Sequence, residues 1–183
     1  AFIDSEESMI NPKKYFKNNV YNLIKFLENI KNLKIKNFIF SSSAAVYGNS
    51  TKAKIKETCL TNPTSIYGLT KLEGENIISF YAKNYNFNSY SLRFFNLVGA
   101  DPSINCGPLN KSYKHIFNSL LKSNKFTING TNYKTPDKTC LRDFISIFDI
   151  AIIIHKILKL KIFIKNNLIL NCGSGIGHSV KKI

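Results

Sequence analysis

The segment Lys36-Asn-Phe-Ile-Phe-Ser41 constrains the fold more than any other stretch of the chain. Its apolar residues run without polar alternation, as a strand covered on both faces requires, and such strands belong to parallel sheets. Helical patterns flank it. Upstream, Asn11-Pro12 reads as N-cap and first helical residue, and Val20, Leu23, Ile24, Leu27 and Ile30 follow at helical spacing, so a helix runs to about residue 33. Downstream come a Ser-rich stretch, a polar loop over 49–63, a helix over 65–84 and a strand Ser89–Phe94. After a loop over 101–110, the pattern predicts helix 112–122, strands 125–129 and 143–147, helix 148–160 and strand 167–172. Alternating helices and buried strands imply an α/β fold with a parallel sheet. From about residue 96 the loops lengthen, as expected of a smaller second subdomain.

Composition narrows the function classes. The 183 residues carry 26 Lys+Arg against 11 Asp+Glu, a formal charge of +15. That balance raises nucleic acid or an anionic membrane as partner, but the distribution argues against both. Only Arg93 and Arg142 are Arg, the other 24 cations being Lys, whereas base-edge and phosphate recognition favours Arg. The lysines stand singly or in pairs, never in a long block. The pattern reads as Lys replacing Arg wherever a mere charge suffices, which draws attention to the two Arg that remain. With 44% hydrophobic residues the chain is not disordered, and no apolar run approaches the ~20 residues of a membrane helix. Neither a signal peptide nor a Cys or His cluster is visible, so the expectation is a cytoplasmic protein with reduced thiols and no metal.

Tyr67-Gly-Leu-Thr-Lys71 sets a phenol and an ammonium one helical turn apart. A nearby Lys charge favours phenolate and makes the Tyr a usable general base. Tyr21…Lys25 has the same spacing, so the pair alone carries little; the ordinary reading of each is a solvated helix face. What separates them is Ser41-Ser-Ser43, which follows directly on the buried strand. Open parallel sheets bind ligands at the carboxyl ends of their strands. A Ser43 hydroxyl could there meet Tyr67, 24 positions on, whereas Tyr21 lies upstream of that strand and has no such partner.

Four blocks carry a family resemblance: Asn37-Phe-Ile-Phe-Ser-Ser-Ser-Ala-Ala-Val-Tyr-Gly48, Ser65-Ile-Tyr-Gly-Leu-Thr-Lys-Leu-Glu73, Leu92-Arg-Phe-Phe-Asn-Leu-Val-Gly-Ala-Asp-Pro102 and Asp137 to Ala151. Ala1-Phe-Ile-Asp through Ser8, Asn18-Asn-Val20 and Asn171 to Val180 match in order as well. Together they resemble the UDP-glucose 4-epimerases of the extended short-chain dehydrogenase/reductase family, over essentially the whole chain. The resemblance implies a Rossmann-like doubly wound parallel sheet lacking its N-terminal strands, with part of a smaller α/β substrate domain. It sets residues 1–95 in the NAD-binding domain and 96–183 in a substrate-binding region with elements returning to the Rossmann sheet. It implies NAD as cofactor, a UDP-sugar as substrate, no nucleic-acid or membrane partner, and a homodimer of the full-length form. By position, the catalytic residues are Ser43, Tyr67 and Lys71. Asn18, Ser41 and Phe94, with Tyr67 and Lys71, line the cofactor. Asn96 and Arg142, with Ser43 and Tyr67, hold the substrate, the guanidinium suiting a diphosphate. Alone, Arg142 would read as an ion-pair partner of Asp143 or Asp149.

Several positions depart from the family pattern. Phe94 stands where Tyr is usual, Asn129 where an aromatic flanks the uracil, and Lys138 where Gly is usual. No Gly-rich turn from a first strand into a helix is present, because the first Gly is Gly48. Gly173-Ser-Gly175 has His178 where a third Gly would be needed, and reads instead as a turn before a helix that Ser179 caps. The expectation is therefore a central piece of an epimerase, inactive alone. Sugar-nucleotide 4,6-dehydratases fit less well, since Ala44 and Ala45 occupy positions where an extra acid/base pair is needed. A UDP-N-acetylhexosamine or UDP-pentose epimerase, a non-catalytic remnant, and a basic nucleic-acid-binding module are the other readings.

Overall fold

A computed structural model describes residues 1–50, 54–100, 128, 130, 132–160 and 167–183. They belong to two compact units, one of Ala1–Phe94 with Ile153–Cys172 and the other of Phe95–Ile152 with Gly173–Ile183.

The first unit is built on a three-stranded parallel sheet in the order β1 (Asn37–Ser43), β2 (Asn88–Phe94), β5 (Asn167–Cys172). Helix α1 (Ser5–Ile10) was not legible in the sequence, being only six residues long; Asp4 caps it by accepting from the Glu7 N–H. The expected helix after Asn11 is composite. Pro12–Tyr15 forms α2, Phe16–Tyr21 a wider π turn, and Asn22–Ile30 forms α3. Asn11 stands at the N-cap with Pro12 after it, but its side chain makes no capping bond. Helix α4 (Ile66–Tyr85) starts where Ser65 Oγ accepts from the Gly68 N–H, and ends on Asn86 in the left-handed conformation. Leu27, Ile78, Ala82 and Phe87 are fully buried between α3, α4 and β1, and Phe38 and Phe40 pack against them. The apolar run thus supplies a core face. β1 continues two residues past the expected end, because Ser41–Ser43 stay in register with Leu92–Phe94.

In the second unit, β3 (Asn96–Val98) pairs parallel with β4 (Leu141–Ser146), which pairs antiparallel with β6 (Gly177–Ser179). Helix α5 (Ile147–Lys159) follows β4. The expected helix 112–122 and Asn129 lie outside the described residues, as does the expected strand 125–129 except for residue 128. After the Gly173 turn come β6 and a short 3-10 turn, Val180–Lys182, with Ser179 at its N-cap position but making no side-chain capping bond. Lys138 has φ 61°, which explains the family's Gly: a β-carbon is strained in this conformation. Lys138→Gly is expected to stabilise the fold by about 1 kcal/mol, read as a higher denaturant midpoint. An unchanged midpoint would contradict a strained Lys138.

No helix among the described residues is long and apolar enough to cross a membrane.

Candidate active site

Ser43 and Phe94 stand at the carboxyl ends of β1 and β2, and the start of α4, which carries Tyr67 and Lys71, packs beside them. Ser43 is the last residue of the strand, and its Oγ accepts from the Ala45 N–H at 3.2 Å, capping a 3-10 turn over Ala44–Tyr47. That leaves the hydroxyl its proton to donate. Phe94 ends β2 directly beside Ser43 in the sheet register. The first turn of α4 lies against the turn that follows Ser43: a β-carbon on Gly68 would stand 2.6 Å from the Ala45 carbonyl oxygen. Gly68 therefore permits the approach that brings Tyr67 to the strand end. Gly68→Ala is expected to push the start of α4 away from Ala45 and to lower the melting temperature by several degrees. An unchanged melting temperature in that variant would contradict the close approach.

Lys71, one turn after Tyr67, is only 5% exposed. Its Nζ donates to the Ser41 carbonyl oxygen at 2.6 Å and lies 5.8 Å from the centre of the Tyr67 ring. Burial pulls its pKa down to about 8. The rejected pair has nearly the same geometry, with Lys25 Nζ 5.7 Å from the Tyr21 ring centre, but both residues are exposed. Spacing makes the two pairs alike and burial makes them different.

The low Lys71 pKa has a signed consequence for stability. Between pH 8 and about 10.5 the unfolded chain holds this proton and the folded chain releases it, so folding stability rises with pH across that window. Below pH 8 the burial penalty is felt in full. Lys71→Met is therefore expected to raise the melting temperature at pH 7, its advantage shrinking as the pH approaches 10.5. Parallel melts of the two proteins over this range test it, and an advantage independent of pH would contradict it.

The π turn carries Asn18 and Asn19, and the structure divides their roles. Asn18 is half-buried and donates to Asn19 Oδ1 at 3.0 Å. Asn19, not singled out by the sequence reading, is the buried one. It accepts from the Phe2 N–H and donates to the Phe2 carbonyl and to Thr70 Oγ1. Thr70 donates to the Tyr67 carbonyl, and Ser8 Oγ accepts from the Tyr67 N–H at 3.0 Å. The backbone of Tyr67 is thus held from both sides. Such contacts span up to 59 positions and leave no local sequence signal.

Asn96 and Arg142 belong to the second unit, whereas Ser43, Tyr67 and Lys71 belong to the first. Asn96 pairs with Phe144, two residues beyond Arg142, so the period-two alternation of strands puts all three on one face of β3–β4. Asn96 Nδ2 donates to the Asp143 carbonyl at 2.9 Å. The ion pair considered for Arg142 is not formed. Asp143 accepts instead from the Ser174 N–H, the Ser174 hydroxyl and the Gly175 N–H at 2.7–2.8 Å. The exposed Arg142 donates to the Leu141 carbonyl at 3.3 Å, and among the described residues it has no carboxylate partner. The Gly173 turn thus cradles the protein's own carboxylate, which accounts for its phosphate-loop look.

The sequence matches the NAD dependent epimerase/dehydratase family over residues 3–173, and the chain belongs to that family. It is 36% identical over 180 residues to a UDP-glucose 4-epimerase of Lactobacillus helveticus, covering 94% of this chain and 54% of the relative. The crystal structure of UDP-glucose 4-epimerase from Brucella ovis in complex with NAD superposes with a TM-score of 0.87 at 32% identity, covering 100% of this chain and 57% of that one. That from Bifidobacterium longum in complex with NAD+ and UDP does so with a TM-score of 0.83 at 30% identity, over 100% and 56%. The chain spans about half the length of the curated relatives it matches.

Proposed function

We propose that the full-length protein is an NAD-dependent epimerase that inverts C4 of a UDP-hexose, interconverting UDP-glucose and UDP-galactose. The observation that carries this is the Lys71 ammonium, buried beside Tyr67 at the strand end that Ser43 closes, in a chain of the epimerase family. The donor set suits the nicotinamide-ribose end of NAD. Lys71 keeps two N–H groups beyond the one given to Ser41, and Asn18 and the exposed Ser41 carry further polar groups that could meet the cofactor. Bound there, NAD supplies the hydride acceptor and donor for C4.

The protein's own residues move the proton. Tyr67, as phenolate, takes the proton of the sugar 4-hydroxyl. Lys71 holds the phenol acidic with its positive charge and bonds the ribose. Ser43 hydrogen-bonds the reacting oxygen and relays its proton through a hydroxyl already oriented by the Ala45 N–H. The 4-keto sugar turns over between the two half-reactions. Asn96 and the exposed guanidinium of Arg142 hold the diphosphate. Phe94, lacking the usual phenol, contributes only its ring beside Ser43.

UDP-N-acetylhexosamine and UDP-pentose substrates are alternatives, separated by comparing kcat/KM for each UDP-sugar. Intact Ser43, Tyr67 and Lys71 argue against a non-catalytic remnant. A basic nucleic-acid-binding module would show a steep salt slope in filter binding. Residues 1–183 hold no Gly-rich strand-to-helix turn, so this piece alone is expected to bind NAD weakly and not to turn over. Purified residues 1–183 converting UDP-galactose with added NAD would contradict this.

The full-length form is read as a homodimer through α3 and α4. Phe80 is 66% exposed, and Ile24, Ile77 and Tyr81 line a shallow hollow of about 330 Å³ beside it. Phe80→Lys is expected to give monomers by sedimentation, and a dimer that survives the charge would place the interface elsewhere.

A further inference from the structure

We infer that Arg93 and Glu75 are positioning residues for the proposed reaction, holding the Ser43 strand end against α4. The inference rests on the epimerase reading above.

Ser42, Arg93 and Asn171 stand in one lateral row across β1, β2 and β5, immediately behind the row Ser43, Phe94 and Cys172. Arg93 is 3% exposed and Glu75, on α4, is 2% exposed. Their ion pair is bidentate: Nε donates to Glu75 Oε1 at 2.9 Å and Nη2 to Oε2 at 2.6 Å. The other Arg93 nitrogen, Nη1, donates to the Tyr47 hydroxyl at 2.8 Å, and Tyr47 donates to Asn171 Oδ1 at 2.7 Å. Ser42 donates to the same Glu75 oxygen that takes Arg93 Nε. Glu75 lies one turn beyond Lys71, whose ammonium holds the Ser41 carbonyl.

Ser43 is therefore bracketed. On one side, Ser41 and Ser42 are tied to successive turns of α4 through Lys71 and Glu75. On the other, Tyr47 closes the turn after Ser43 and is tied to Arg93. None of these bonds reaches the reacting atoms, but together they fix the Ser43 hydroxyl relative to Tyr67. A planar fork serves here where Lys would not: the guanidinium meets both carboxylate oxygens side-on with Nε and Nη2 and still has Nη1 for the phenol. That accounts for one of the two Arg surviving in a chain otherwise served by Lys.

A buried ion pair also affects stability, so the test must separate the two roles. Removing either partner strands a charge, whereas replacing both by apolar groups relieves that penalty. The measurement compares Glu75→Gln, Ser42→Ala and the double variant Glu75→Leu/Arg93→Met in the full-length chain. It follows melting temperature, kcat and KM for UDP-galactose, and amide exchange over residues 43–47. Positioning predicts that the double variant regains most of the melting temperature lost in Glu75→Gln, yet keeps kcat at least tenfold down with KM changed less than threefold. Ser42→Ala should lower kcat several-fold with little change in melting temperature. Exchange over residues 43–47 should be at least tenfold faster in the double variant than in wild type. If kcat recovers together with melting temperature in the double variant, the pair is only structural and the inference fails. An inactive wild type would instead overturn the epimerase reading. The exchange data then still decide whether this network holds the turn, and unchanged protection would overturn that too.

Discussion

Replacing Tyr67 by Phe in the full-length chain is expected to slow sugar-nucleotide turnover by about 10³-fold or more while leaving NAD bound, because the change removes the general base and nothing else. The ring stays in place: Tyr67 is fixed through its backbone, by Ser8 at its N–H and Thr70 at its carbonyl, and Lys71 remains 5.8 Å from the ring centre. Affinity for NAD should change little, since Lys71, Asn18 and Ser41 keep their polar atoms. A fall in kcat with KM held is the signature of a group acting only in the transition state. Turnover within a few-fold of wild type would reassign the base. Loss of bound NAD would instead show that the phenol is part of the cofactor's grip.

Replacing Gly48 by Ala is expected to have the largest effect on stability. Gly48 ends the 3-10 turn after Ser43 with φ 59° and ψ −138°, a conformation that essentially only glycine adopts. A β-carbon there would stand 2.0 Å from the Asn62 carbonyl oxygen, an overlap with backbone that no rotamer can relieve. Strain of this kind costs about 1–3 kcal/mol by conformation alone, and the overlap adds to it. A total near 3 kcal/mol would lower the melting temperature by roughly 10 °C in a chain of this size. A thermal melt of the variant checks this, and an unchanged melting temperature would contradict the geometry of the turn. The same substitution loosens the Tyr47 end of the bracket around Ser43, so activity should fall even below the melting range.

The long elements were legible because their signals are local. The Asn37–Phe40 run, the 3.6-residue spacing of Leu23, Leu27 and Ile30, and the Ser65 cap each specify an element from a few neighbouring residues. Strands β3 and β6 have three residues each, too few for a period to show. The π turn was hidden because one extra residue per turn leaves the apolar spacing on either side intact. In the site, Ser43, Tyr67 and Lys71 could be chosen from order, spacing and family resemblance. Which Tyr–Lys pair is buried depends on packing, and Tyr21…Lys25 matches Tyr67…Lys71 in everything local. Of the network behind the site only Arg93 stood out in the sequence, as one of two Arg among 24 Lys; its partners Ser42, Glu75 and Asn171 did not, because they meet it only where three parallel strands and a helix bring them together. Lys138 shows the converse. A departure from the family noticed in the sequence gained its physical meaning only when the left-handed backbone was seen.

The most direct test of the proposed function follows the fate of the hydrogen at C4. UDP-galactose carrying deuterium at that carbon is incubated with the full-length chain, and the product is read by mass spectrometry and NMR. The expected result is UDP-glucose with the deuterium still at C4 and none acquired from solvent. Absence of conversion, or conversion with the label lost to water, would contradict an epimerase that works through Ser43, Tyr67 and Lys71.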